Sequence, residues 1–198
     1  ASLKYLVLGG AASALLLMGA SLLYGASGSL ELAAFAAALG STSDLERAAV
    51  VLIVSAFFLK AAVVPFHAWV PEVFDHGRLG PAILFSAPQV GAYMTLVLIV
   101  PRASPEMLRV IALLALGTAV YGAALALVQT SARRACGYLF MSQSALVMAG
   151  LDCTSVAALA DGLLVWLSAG LAFAGLARCV LVLEARRGRL ALNTYHGG

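Results

Sequence analysis

The chain has 198 residues, 63% of them hydrophobic and only 11% charged, with a formal net charge of +3 and a mean hydropathy of +1.00. A soluble domain carries roughly a quarter charged residues and about half apolar ones, so composition alone predicts a membrane protein. The net charge is too small and too scattered to argue for a nucleic-acid partner, and Cys136, Cys153 and Cys179 lack the spacing of a zinc or iron–sulfur site.

A membrane crossing needs about 20 predominantly apolar residues. The first apolar stretch, LKYLVLGGAASALLLMGASLLY, predicts a helix near 3–24, long enough to span and without the context of a cleavable signal. In the next segment, GASGSLELAAFAAALGSTSD, Gly and Ser mark turns, and LELAAFAAAL is too short to cross and reads as a short interfacial helix. A second crossing is predicted over 46–64, continuing after a break to about 76. Further crossings follow at 81–100, 107–128, 135–151 and 156–184. The expected fold is therefore all-α, a polytopic membrane helix bundle of about six crossings forming a single membrane domain over 1–198. With six crossings, Lys4, Arg78, Arg133, Arg134, Arg186, Arg187 and Arg189 fall on one side and Arg47, Arg102 and Arg109 on the other. This bias predicts that both termini are cytoplasmic. No GxGxxG or Walker-type loop is present.

The second crossing contains FFLKAAVVPFHAW, in which Lys60, Pro65 and His67 fall within eight positions. A lysine near the bilayer centre costs on the order of 2.5 to 3.5 kcal/mol, which points to a use or a partner; the bland alternative is an ammonium that snorkels to the headgroups. Burial favours the neutral amine and makes proton uptake and release accessible to it. Pro65 has no N–H for the Ala61 carbonyl, so a break is expected there, and backbone left unpaired at membrane depth must face protein or water. His67 is a plausible relay between a buried lysine and the acids Glu72 and Asp75, or simply a partner for a freed carbonyl; Trp69 fits an interfacial anchor. In the third crossing Ser86, Gln89 and Tyr93 share one helical face and could support a water chain, although Gln89 cannot itself titrate. Pro88 is expected to open the ladder at Leu84. Arg133 and Arg134 read as flank charges, and Arg178 and Glu184, six residues apart, are too distant to pair along one helix.

The stretch LKAAVVPFHAWVPEVFDHGRLGPAILFSAPQVGAY resembles the core of the antiporter-like membrane subunits of respiratory complex I and of the related Mrp-type cation/proton antiporters. Lys60, Pro65, His67, Trp69, Pro71 and Pro81 match the pattern in order. LLYGASGSLELAAFA is most similar to the N-type subunit, and RRACGYLFMSQSALVMAGL resembles a later basic, aromatic and serine-containing segment. The resemblance implies a fold of about fourteen helices in two inverted five-helix repeats, of which this chain resembles helices six to eleven, as a piece of a longer subunit or with neighbouring chains supplying the rest. It implies a proton-storing role for Lys60 and neighbouring membrane-arm subunits as partners, beside which His67 is expected as a relay and the chain is expected in a bacterial inner membrane. NADH, FMN, iron–sulfur clusters and quinone would belong to partner subunits, with no cofactor or metal held here. The chain departs from the pattern at Gln89, where the family usually has a second lysine, and at Arg133–Arg134, where guanidinium replaces an exchangeable lysine. The function implied is a proton-translocating subunit of an NADH:quinone oxidoreductase; the alternatives are a non-conducting structural module or an Mrp-type antiporter subunit.

Overall fold

The computed structural model describes residues 2–77, 87–100, 102–149 and 156–188, and every element in those segments is helical. The first helix, α1, runs Ser2–Ser27. Beyond Lys4 it has no charge and is apolar all round, the mark of a helix whose surroundings are apolar on every side. It ends at Gly28, whose φ of +70° places its N–H on the Tyr24 carbonyl. The short α2, Leu32–Leu39, follows and turns Phe35 and Ala38 inward.

Helix α3, Asp44–Ala61, opens with Asp44 and Glu46, acids that suit the positive end of a helix dipole. It runs antiparallel to α1, with Gly19 of α1 lying against Ala49 and Ile53. The chain leaves helix at Ala61, turns through 62–68, and forms α4 at Trp69–His76. Helix α5, Ala87–Met94, passes directly into a π-helical turn at Thr95–Ile99, where Arg102 donates to the freed Val97 and Leu98 carbonyls. Helix α6, Pro105–Leu127, begins with Pro105 in its first turn, and Ser104 accepts from the Met107 N–H. Then come α7, Ala132–Ala149, and the long α8, Val156–Arg187.

Two apolar clusters hold these helices together. Phe57, Leu96, Ile111 and Met148 belong to one, joining α3, the π turn, α6 and α7. The other stacks Phe74 on Phe140 at 5.4 Å and Phe140 edge-on to Phe173 at 5.0 Å, tying α4 to α7 and α8. Many large apolar side chains point outward instead, among them Leu17 and Leu113, each 69% exposed, as expected where the solvent is lipid.

Among the described residues three helices are long and apolar enough to cross a membrane, Leu3–Ser27, Pro105–Leu127 and Ala160–Arg186, and the chain is an integral membrane protein. Of the six expected crossings, α3 carries Asp44, Glu46, Arg47 and Lys60, α7 opens on two arginines, and the one expected over 81–100 lies partly outside the described residues, so the count of six is not shown. The boundaries also move: α3 stops at Ala61 rather than near 64, and α7 begins at Ala132 rather than near 135.

Candidate functional site

Lys60 lies in the last turn of α3 and is half-buried. It lines a cleft of about 290 Å³ together with Tyr5, Gly9, Gly10 and Ser13 of α1 and with Trp69. This level is about eight residues, or roughly 12 Å at 1.5 Å per residue, below the start of α1. Among the described residues Lys60 makes no hydrogen bond or ion pair. Its backbone is fixed by a close crossing: a Cβ at Gly91 would stand 2.3 Å from the Ala61 nitrogen and 2.7 Å from the Lys60 carbonyl carbon. Only a glycine lets α5 pass α3 at that distance.

The helix end beside Lys60 is closed in an orderly way. Ala62 takes the left-handed conformation, φ 56° and ψ 37°, and its N–H reaches Leu59 O at 3.4 Å while Val63 N–H reaches Phe58 O at 3.1 Å. The Trp69 indole turns back to donate to Leu59 O at 3.3 Å, so this tryptophan, expected as an interfacial anchor, is a buried patch on the helix end. In the turn, Val64 N–H donates to the Thr118 hydroxyl of α6 at 3.1 Å, and Thr118 donates onward to Leu114 O at 2.7 Å. These bonds satisfy backbone groups that a helix ending inside the bundle would otherwise leave bare.

His67 lies on the other side of the same turn. Its ring meets Tyr121 of α6 edge-on, centroids 5.0 Å apart at 80°. Its Nδ1 is shut off from solvent and has no hydrogen-bond partner among the described residues. The structure therefore does not bring His67 into the cleft that Lys60 lines. Pro65 is exposed in the turn. Tyr93 packs on Trp166 of α8 at 5.2 Å rather than on Lys60. Gln89 belongs to α5 by its backbone, but its side chain, all of Ser86 and the Leu84 carbonyl expected to be freed by Pro88 lie outside the described residues.

A second polar group closes one end of the bundle. Arg133 at the start of α7 reaches the Glu184 carboxylate of α8 through Nε, at 2.9 and 2.7 Å, and donates from Nη1 to the Gly77 carbonyl at 3.0 Å. Ser131 donates to Asp75 at 2.8 Å, and Lys4 pairs with Glu72. Arg133 is thus more than the flank charge its position in sequence implies, and Glu184 finds its partner 51 residues away. Thr118, Tyr121 and Gly91 are the site residues that the sequence reading passed over; the first two were visible as polar side chains inside an apolar 23-residue helix. Among the described residues no group of three His, Cys, Asp or Glu side chains is placed to hold a metal ion.

An all-helical bundle with membrane-length apolar helices, a lysine without a counter-charge among the described residues at a helix end and a histidine across the turn defines a polytopic membrane protein that carries titratable groups within its helix bundle. The chain belongs to the family described as NADH:quinone oxidoreductase/Mrp antiporter, transmembrane, which it matches over residues 1–197. It is 39% identical over 153 residues to the NADH-quinone oxidoreductase subunit N of Pelobacter propionicus, covering 76% of this chain and 33% of that protein. Among solved structures, a chain of respiratory complex I from Thermus thermophilus is 34% identical with a TM-score of 0.64, covering 88% of this chain and 39% of that one. A chain of the Mrp complex from Dietzia shares the fold at a TM-score of 0.84 and 23% identity, covering 96% of this chain and 36% of its own. The chain therefore spans between a third and two-fifths of the length of these relatives.

Proposed function

We propose that this chain is the central part of a proton-translocating membrane subunit, of the N type, in a complex I-like NADH:quinone oxidoreductase. In this reading α3 and α4 are two arms of one interrupted crossing, six crossings put both termini in the cytoplasm of a bacterial cell, and other membrane-arm subunits and lipid surround the chain. Lys60 holds the transferable proton, His67 relays it, and Ser86, Gln89 and Tyr93 support water beside the opening that Pro65 helps to create. Electron carriers reside in partner subunits.

The observation that carries this reading is Lys60 itself, an amine about 12 Å inside the helix layer, at a helix end, facing a cleft and without a carboxylate partner among the described residues. Kinship with subunit N supports it. Proton uptake by vesicles carrying the assembled complex provides the test. Lys60→Ala should abolish uptake without preventing assembly, and Lys60→Arg should fail as well, because guanidinium keeps its proton. Full activity in Lys60→Arg would remove Lys60 from the mechanism.

A second reading, a structural module that conducts nothing, is favoured by Gln89, which stands where resembling subunits carry a lysine. Proton flux that survives Lys60→Ala unchanged would put that reading in front.

A further inference from the structure

At the end of the bundle where α1 begins and α4 and α8 finish, four charged side chains are paired: Lys4 with Glu72 and Arg133 with Glu184. Asp75 accepts from Ser131. Arg134 differs from its neighbour in sequence. It is half-buried, its Nε is sealed from solvent with no acceptor, and among the described residues its guanidinium makes no hydrogen bond or ion pair. Glu72 lies within its electrostatic reach, but that carboxylate is held by Lys4. A guanidinium carries five donors and cannot shed its charge, so a half-buried one without an acceptor calls for an anionic oxygen ligand.

The depth of the site narrows the choice. Lys4 is the second residue of the apolar stretch Leu3–Ser27, and Glu184 is close to the end of Ala160–Arg186. The charged layer therefore lies where the apolar length of two helices runs out, at headgroup level. Toward the interior from that layer, Leu6 of α1 is 70% exposed, leaving apolar surface for an acyl chain. A phosphodiester matches the planar fork of the guanidinium with two oxygens, and anionic headgroups are drawn to basic pockets between membrane helices.

We propose that the Arg134 guanidinium binds the phosphate of an anionic phospholipid at this end of the bundle. The site is independent of any proton held by Lys60. The test uses the full-length subunit in its native assembly, reconstituted in nanodiscs of phosphatidylcholine with or without phosphatidylglycerol, and counts retained phosphatidylglycerol by native mass spectrometry. Wild-type protein should retain it, Arg134→Gln should retain roughly ten-fold less, as for loss of a charge-assisted pair, and Arg178→Gln, an exposed arginine elsewhere on α8, should match wild type. Photo-crosslinking of wild-type protein with a phosphatidylglycerol probe should label the segment 131–139, which keeps the test open should Arg134→Gln fail to assemble. Equal retention by Arg134→Gln, or absence of that crosslink, overturns the proposal and points to a protein carboxylate as the guanidinium's partner. Release of the lipid by millimolar inorganic phosphate overturns it in favour of free phosphate.

Discussion

Replacing Gly91 by alanine tests the crossing that holds Lys60 in place. The added methyl would stand 2.3 Å from the Ala61 nitrogen, 2.7 Å from the Lys60 carbonyl carbon and 2.8 Å from the Ala61 Cα, all backbone atoms that cannot swing aside. Ordinary contact begins at 3.4 Å, so α3 and α5 must part by about 1 Å. Overpacking of this kind costs about 1–3 kcal/mol, offset by up to about 1 kcal/mol from alanine's better helix propensity. The net expectation is a loss of about 1–2 kcal/mol, with Lys60 displaced as well because the clash falls on its own peptide unit. Gly117→Ala is the matched control, since a Cβ there meets nothing within 4 Å; it should be neutral or mildly stabilising. Thermal unfolding of the full-length subunit in detergent reads the first effect, and proton uptake by the assembled complex reads the second. If Gly91→Ala proves as stable and as active as Gly117→Ala, the close approach of the two helices is wrong, and with it the placement of Lys60.

Thr118→Val should cost about 1 kcal/mol, because the Val64 N–H loses its acceptor inside the bundle, and Thr118→Ser should restore most of it; unfolding midpoints of the three proteins decide the matter. Breaking the Arg133–Glu184 pair with Glu184→Gln should destabilise by about 1–3 kcal/mol with little response to added salt, since the two side chains are only 19% and 8% exposed. A double-mutant cycle with Arg133→Gln measures the coupling, and additive losses would deny it. For orientation, a cysteine at position 187, in a protein stripped of Cys136, Cys153 and Cys179, should resist a membrane-impermeant thiol reagent applied to intact cells. Efficient labelling there reverses the proposed topology.

The helices were legible because apolar length is a local property: the stretch read as 3–24 is Ser2–Ser27, and the one read as 107–128 is Pro105–Leu127. The end of α3 was harder to read. Proline restricts the residue before it, which accounts for a departure at Val64, but not for helix ending at Ala61. That stop depends on a left-handed alanine at 62 and on Gly91 pressing against the Lys60–Ala61 peptide, an approach set by a helix 30 residues further on. The Arg133–Glu184 pair was equally out of reach, since composition shows that a buried arginine needs a partner but not which of the acids the fold delivers. Lys60 and His67 were both legible as unusual residues. Their separation onto two sides of the turn was not, because sequence spacing says nothing about which neighbouring helix each will face.

That separation bears on how a proton could pass between them. The turn at 62–68 is stitched shut: Val64 N–H is held by Thr118, Phe66 N–H by Val63 O, Val70 N–H by His67 O, and Leu59 O by the Trp69 indole. Water passing directly through the turn would have to replace these bonds, each worth about 1 kcal/mol and stronger where the dielectric is low. The α1 cleft is the route that breaks none of them, since Lys60 already lines its wall. Among the described residues nothing closes its outer side, whereas these relatives are more than twice as long and have further segments to pack somewhere. In the proposed function, then, whatever covers the α1 face governs both the water and the countercharge that Lys60 meets. Substitutions at Gly9, Gly10 or Ser13, which line the cleft without touching the chemistry, should therefore alter proton uptake by the assembled complex while leaving the unfolding of this chain nearly unchanged. Bulky replacements such as Gly9→Leu or Gly10→Leu that leave uptake intact would show that the proton takes another way, on the His67 and Tyr121 side.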